Sequence, residues 1–221
     1  MTQLEARQVG KCFRQGSEVE VWALRDHSLV IPRGSFVVLV GPSGCGKTTL
    51  LSLLGALDRP TQGQVFWEGR DLSVCSDVEL ARVRRRLGFV FQSFALIPKL
   101  PLWENITYPL IPRGVSRAER HEIARTLLAR FGLTSKLLKT PQELSTGEQQ
   151  RIAVARALAA NPDVILADEP TSNLDRPTAL TLLTCLQEFH ASGRTLIVSS
   201  HDPELVRLAT TVHELKAEPQ R

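Results

Sequence analysis

The residues best equipped for chemistry lie in two runs far apart in the chain. The first, Gly41-Pro42-Ser43-Gly44-Cys45-Gly46-Lys47-Thr48, fits G-x-x-x-x-G-K-[ST]. Its glycines at 41, 44 and 46 let the backbone turn tightly and aim its N–H groups inward, so that consecutive amides and the positive end of the next helix face phosphate oxygens. Lys47 supplies a flexible point charge for the β- and γ-phosphates of a nucleotide, and the Thr48 hydroxyl is placed to ligate Mg²⁺. Pro42, Ser43, Cys45 and Thr49 complete the expected nucleotide-binding set. The second run is Asp168-Glu169-Pro170-Thr171. Asp168 is placed to hold the Mg²⁺ through water, and Glu169, one residue on and pointing differently, can polarise an attacking water.

Both runs follow short apolar segments that read as buried strands: Phe36-Val37-Val38-Leu39-Val40 and Val164-Ile165-Leu166-Ala167. Two more such segments end in polar residues. Leu87-Gly88-Phe89-Val90-Phe91 leads to Gln92, and Thr195-Leu196-Ile197-Val198-Ser199-Ser200 leads to His201. Carboxyl ends of strands are where an open α/β sheet collects its chemistry, so His201 is expected to enter the same crevice as Asp168. A neutral His201 imidazole there can bridge the γ-phosphate and the water. Residues 49–57 read as a mostly buried helix. The pattern at 116–131 is also helical, with a capping box Ser116-x-x-Glu119 and Ile123, Leu127, Leu128 and Phe131 on one face. Gln64-Val65-Phe66-Trp67 followed by Glu68-Gly69 reads as a hairpin. From Val164 onward strands alternate with helices, as in a parallel sheet.

A third run, Leu144-Ser145-Thr146-Gly147-Glu148-Gln149-Gln150-Arg151, precedes a helical pattern over 148–159. Ser145 reads as an N-cap, and Ser145-x-x-Glu148 fits a capping box. Taken with the phosphate loop, Phe91-Gln92, the strand ending at Glu169, Ser172-Asn173-Leu174-Asp175 and His201, it resembles the ordered motifs of the ATP-binding cassette (ABC) ATPases over nearly the whole chain. Leu57-Asp58-Arg59-Pro60-Thr61 with Gly63, the run 169–175, and His201-Asp202-Pro203-Glu204 are similar to the lipoprotein-releasing and macrolide-export branch, the LolD and MacB types.

The resemblance implies an α/β fold: a P-loop NTPase (RecA-like) core with an amino-terminal antiparallel β subdomain and an inserted α-helical subdomain carrying the signature run. It implies one domain over 1–221, with the core at about 1–93 and 160–221 and the helices at about 94–159. ATP and Mg²⁺ are the expected cofactors. Ser145 and Gly147 would meet the γ-phosphate of ATP held by a second copy, giving a head-to-tail dimer with two shared sites. A helix N-terminus favours such an anion by roughly 0.3–1 kcal/mol. Thr146 and Glu148 stand where the family usually has glycine and glutamine. Gln92 would contact Mg²⁺ and water, and Asp175 would link the two sites. An aromatic upstream of the phosphate loop usually stacks on adenine; Phe13 is the candidate and Trp22 the alternative.

The further partner implied is a separate transmembrane permease, for lipoprotein, lipid or drug export. An FtsE-type cell-division regulator has similar motifs and no cargo. A third class, a nucleotide-binding module without turnover, is disfavoured by intact Lys47, Asp168, Glu169 and His201. The absence of a long coiled-coil insertion argues against DNA-repair relatives, and no nucleic-acid partner is expected.

The 221 residues suffice for one core with an inserted subdomain, and 43% hydrophobic content is ordinary for a globular chain. There is no run of eighteen apolar residues and no basic-then-apolar leader. The expected location is therefore cytoplasmic, peripheral on the inner membrane through the permease. Four cysteines, Cys12, Cys45, Cys75 and Cys185, show neither metal nor disulfide spacing. The net charge of +4 is mild, and Arg82, Arg84, Arg85 and Arg86 read as a solvated helix end. Residues 96–114, rich in proline and apolar side chains with Trp103 and Tyr108, fit either a partner surface or internal packing. His27, His121, His190 and His213 match no motif, and residues 214–221 read as a loose polar tail.

Overall fold

The computed structural model describes residues 1–13, 20–172 and 174–216. Two sheets organise it. β1 (Thr2–Phe13) and β2 (Val21–Pro32) pair as long antiparallel arms, extended by β4 (Gln62–Trp67) and β5 (Arg70–Asp71) in the order β2-β1-β4-β5. The second sheet is parallel throughout, in the order β6 (Leu87–Val90), β7 (Val164–Asp168), β8 (Thr195–Ser199), β3 (Phe36–Val40), β9 (Thr211–Glu214). Every residue of β7 and β8 is buried, as expected of strands covered on both faces.

Because successive side chains point to opposite faces, this sheet serves two cores. Val37 and Leu39 of β3, Leu166 of β7 and Ile197 of β8 join a cluster with the antiparallel sheet and α1 (Lys47–Leu54). Phe36, Val38, Ile165 and Val198 join a second cluster on the other face. That cluster is completed by α3 (Leu102–Thr107), α4 (Arg117–Arg130) and α5 (Thr146–Ala159), which lie between β6 and β7 in the chain, and by α6 (Arg176–Ala191) and α7 (Pro203–Leu208). α2 (Asp77–Arg84) packs its Leu80 and Val83 into the first cluster.

The strand, hairpin and helix expectations hold in kind, and four details differ. The helix expected over 49–57 begins at Lys47 and stops at Leu54: Gly55 is its C-cap, and Ala56 turns left-handed at φ 54°. At α4 only half the capping box forms, since Ser116 Oγ accepts from Glu119 N at 3.2 Å while the Glu119 carboxylate returns no bond. The tail starts later than residue 214, because Glu214 belongs to β9 and Leu215 is buried; residues 217–221 lie outside the described residues. Of the arginines at the end of α2, Arg82 and Arg85 are exposed as expected, but two are tied into the fold: Arg84 donates to Ala56 O at 2.9 Å, and Arg86 pairs with Glu68 at 2.8 Å and Asp163 at 2.5 Å. Within 96–114, Leu102, Trp103, Ile106 and Leu110 are core residues, whereas Tyr108 and Ile111 remain about half exposed.

Candidate functional site

β6, β7, β8 and β3 run parallel, so the residues following their carboxyl ends collect at one edge of the sheet. They line a cleft of about 810 Å³ that includes Ser43, Gly44, Gly46, Lys47, Thr48, Thr49, Gln92, Asp168, Glu169 and His201, within the size range of small-molecule sites. Ala23, Thr171, Ser172, Ser200 and Asp202 complete its wall.

The phosphate loop runs from β3 into α1. Gly46, the residue before the helix, is left-handed at φ 95°, and a Cβ there would lie 2.4 Å from the Ala23 carbonyl oxygen. Only glycine fits that approach. No side chain caps α1, in contrast to α2, α5, α6 and α7, which each begin with a serine or aspartate that accepts a backbone N–H. The amides at the start of α1 are therefore left for an anion from outside the chain.

Lys47 is buried, and its Nζ donates to Gly41 O at 2.6 Å and Pro42 O at 3.1 Å, with His201 Nε2 at 3.3 Å. The Thr48 hydroxyl donates to Asp168 Oδ2 at 2.7 Å. The Ser199 hydroxyl donates to Asp168 Oδ1. Glu169 leaves β7 in a left-handed conformation, φ 46°, with its N–H donating to Ser199 O at 3.0 Å and Ser199 Oγ at 3.1 Å. This turn sends two adjacent carboxylates to different places: Asp168 toward Thr48, and Glu169 Oε1 to 3.6 Å from His201 Nε2. Burial raises the Glu169 carboxyl above its ordinary value, opposed by the charges of His201 and Lys47. Such a carboxylate is a stronger base than an exposed one.

Ser199 was not singled out from the sequence. The available signal was a hydroxyl ending an otherwise apolar buried strand, where an unpaired polar group would be costly.

The remaining expected residues stand apart from the cleft wall. Ser145 is exposed at the start of α5 with its capping box complete, since its Oγ accepts from Glu148 N and Glu148 Oε2 accepts from Ser145 N. Glu148 also pairs with Lys136, whose bond is the first cause of its lowered pKa. Gly147 faces α6, where an added Cβ would lie 3.2 Å from Thr178. Asp175 is exposed and caps α6, accepting from Thr178 N at 2.8 Å; its neighbour Asn173 is outside the described residues. Phe13 ends β1 opposite Val21, about half exposed, while Trp22 lies under the Arg25 guanidinium at 4.7 Å. Neither ring lines the cleft. The Cys45 side chain turns into the core, and all four cysteines are buried and free. Among the described residues, no helix is long and apolar enough to cross a membrane.

Residues 24–172 match the family described as ABC transporter. An uncharacterized ABC transporter ATP-binding protein of Thermotoga maritima is 46% identical over 96% of this chain and 91% of its own length. A macrolide export ATP-binding/permease protein, MacB, of Shewanella sp. is 42% identical over 95% of this chain, which spans 32% of that longer protein. Among solved structures, the dimeric post-hydrolysis state of the ATP-binding cassette MJ0796 bound to ADP and Pi superposes with a TM-score of 0.91 at 37% identity, covering 99% of this chain and 97% of the other. With its sheets, phosphate loop and strand-end carboxylates arranged in this way, the chain belongs to the ABC transporter family and is an ATPase, an ATP-binding cassette.

Proposed function

We propose that this cassette dimerises head to tail on ATP and, through that closure, drives a separate transmembrane permease from the cytoplasmic face of the inner membrane. The observation that carries this reading is the split between two half-sites. The phosphate loop, Asp168, Glu169 and His201 face one cleft, while Ser145 and Gly147 stand exposed or half-exposed at a helix start that does not line it. The dimeric state of the MJ0796 cassette supports a second copy as the source of the missing half. ATP binding would deliver the closing stroke, and hydrolysis would reset it.

Within each site, residues 41–49 would cradle the phosphates and Lys47 would neutralise their charge. The Thr48 hydroxyl and the Asp168 carboxylate, 2.7 Å apart, are oxygen donors of the hard kind that Mg²⁺ takes. These residues with Gln92 would hold Mg²⁺, Asp168 through water, and the ion would supply charge neutralisation at the phosphoryl oxygens. Glu169 would take a proton from the attacking water, and His201 would orient that water against the γ-phosphate. Phe13 would stack on adenine, and Asp175 would connect the paired sites. The helices at about 94–159 would act as a subdomain inserted in a core of about 1–93 and 160–221.

For the permease, the macrolide-export name of the MacB relative supports a drug as cargo, with a lipoprotein or lipid as the alternative cargoes of an export role. The test is Glu169→Gln. Loss of the base should slow hydrolysis by roughly 10²–10⁴ while sparing ATP binding, so that ATP shifts the variant from monomer to dimer on gel filtration. Normal turnover would remove Glu169 from its role, and a variant that binds ATP yet stays monomeric would refute the paired site. Mass spectrometry of membrane proteins retained by the trapped dimer separates an export permease from an FtsE-type division partner.

A further inference from the structure

Gln92 sits at the tip of a tight turn, where Phe94 N donates to Phe91 O at 2.9 Å. The chain leaves that turn through two consecutive left-handed residues, Phe94 at φ 61° and Ala95 at φ 47°. Neither is glycine, so this backbone conformation must be held from outside. The holder is Arg156 of α5. Its Nη2 donates to Phe94 O and its Nη1 to Ala95 O, each at 2.5 Å. Among the described residues no carboxylate pairs with this guanidinium, and burial lowers its pKa to about 10. A desolvated cation spent on two carbonyls is costly unless their position matters. Just beyond, Asn105 of α3, wholly buried, accepts from Ile97 N at 2.7 Å and donates to Leu100 O at 2.9 Å. The strap leaving the cleft is thus fastened to α3 and α5.

We propose that Arg156 is a positioning residue for Gln92: its fork fixes the Phe94 and Ala95 carbonyls and so ties the placement of Gln92 in the cleft to α5. The same helix begins at Ser145, eleven residues away and about 16 Å along the axis. A tilt of α5 when Ser145 meets a partner's nucleotide would therefore be felt at Gln92. The proposal rests on the roles given above to Gln92 and Ser145.

The experiment combines steady-state ATPase kinetics with hydrogen exchange on the full-length protein. Arg156→Lys keeps the charge and loses the fork; Arg156→Gln loses both. Each should speed exchange of the amides in 91–97. Each should also lower kcat by about 10- to 100-fold, the effect of misplacing a group by about 1 Å, with KM for ATP within about twofold. Combination with Gln92→Ala should add little further loss, because both act through one side chain. If Arg156→Gln fails to fold, Arg156→Lys carries the same expectations. Unchanged exchange at 91–97 overturns the clamp, and losses that multiply in the double variant overturn its action through Gln92. Full turnover in Gln92→Ala alone would reject the role of Gln92, and the positioning proposal with it, separately from the exchange result.

Discussion

Gly46 and Gly44 are both left-handed, at φ 95° and 79°, yet their surroundings differ. A Cβ on Gly46 would lie 2.4 Å from the Ala23 carbonyl oxygen and 3.2 Å from Leu24 Cδ1, whereas a Cβ on Gly44 meets nothing within 4 Å. Alanine at either position carries the left-handed cost of about 1–2 kcal/mol, offset by about 0.4–1 kcal/mol from the stiffer unfolded chain. These contributions cancel in the comparison. Only Gly46→Ala also strains packed backbone, costing about 1–3 kcal/mol. For a chain of this length each kcal/mol shifts Tm by about 2–4 °C, so Gly46→Ala should melt about 2–12 °C below Gly44→Ala. Nucleotide affinity should separate them the opposite way. The open space at Gly44 belongs to the cleft, where a methyl group competes with phosphate. If that clash costs about 1–3 kcal/mol, ATP binding by Gly44→Ala weakens about 5- to 150-fold. Calorimetric melting without ligand and titration with a fluorescent ATP analogue read the two quantities separately. Equal melting temperatures, or a Gly44→Ala protein that melts lower yet binds normally, would refute the steric assignment.

Ser145→Ala and Lys47→Ala proteins should each lose most activity, and mixing them should restore at most one complete site per heterodimer; full activity in either alone would refute the shared site. Because the Glu169 carboxyl lies above its ordinary 4.5 and a base must be ionised to take a proton, the role proposed for it requires kcat to fall as pH drops through that raised value. The acidic limb should vanish from the residual activity of Glu169→Gln, and its persistence there would assign it to another group. His27 Nε2 and His213 Nε2 lie 2.7 Å apart, bridging β2 and β9; burial lowers both pKa values, with the His213 charge a second cause at His27. The unfolded chain then takes up protons below about pH 6.5 that the folded one resists, so stability to urea should fall as pH drops from 7.5 to 5.5. His213→Gln should shrink that fall, and an undiminished fall would place its origin elsewhere.

Much of the site was legible because its requirements are local. A strand, a glycine turn and a helix start occupy contiguous residues, so 36–54 could be read directly, as could Asp168, Glu169 and His201 at strand ends. Ser145 was readable as a cap because a capping box spans only three residues. The structure was needed wherever a residue's role depends on something distant in sequence. Ser199 acquires its role because β7 and β8 are neighbours, which sets its hydroxyl on Asp168. Arg156 gains its meaning from the carbonyls of Phe94 and Ala95, and His27 from His213, across the two sheets. The Leu102, Trp103 and Ile106 side chains could have faced a partner or a core by their apolar character alone; packing with α4 and α5 decided for the core.

The sequence by itself determined the phosphate chemistry, the strand-end carboxylates and the ATP-binding cassette family, since spacing along a chain dictates which side chains a turn or a strand end can present. The tertiary structure alone decided the strand order that gathers four strand ends into one cleft. It also decided the separation of that cleft from Ser145, and the fastening of the Gln92 strap to α5. The physical reason is that burial and hydrogen bonding act between residues adjacent in space, and neighbours across a sheet leave no signature in either local segment.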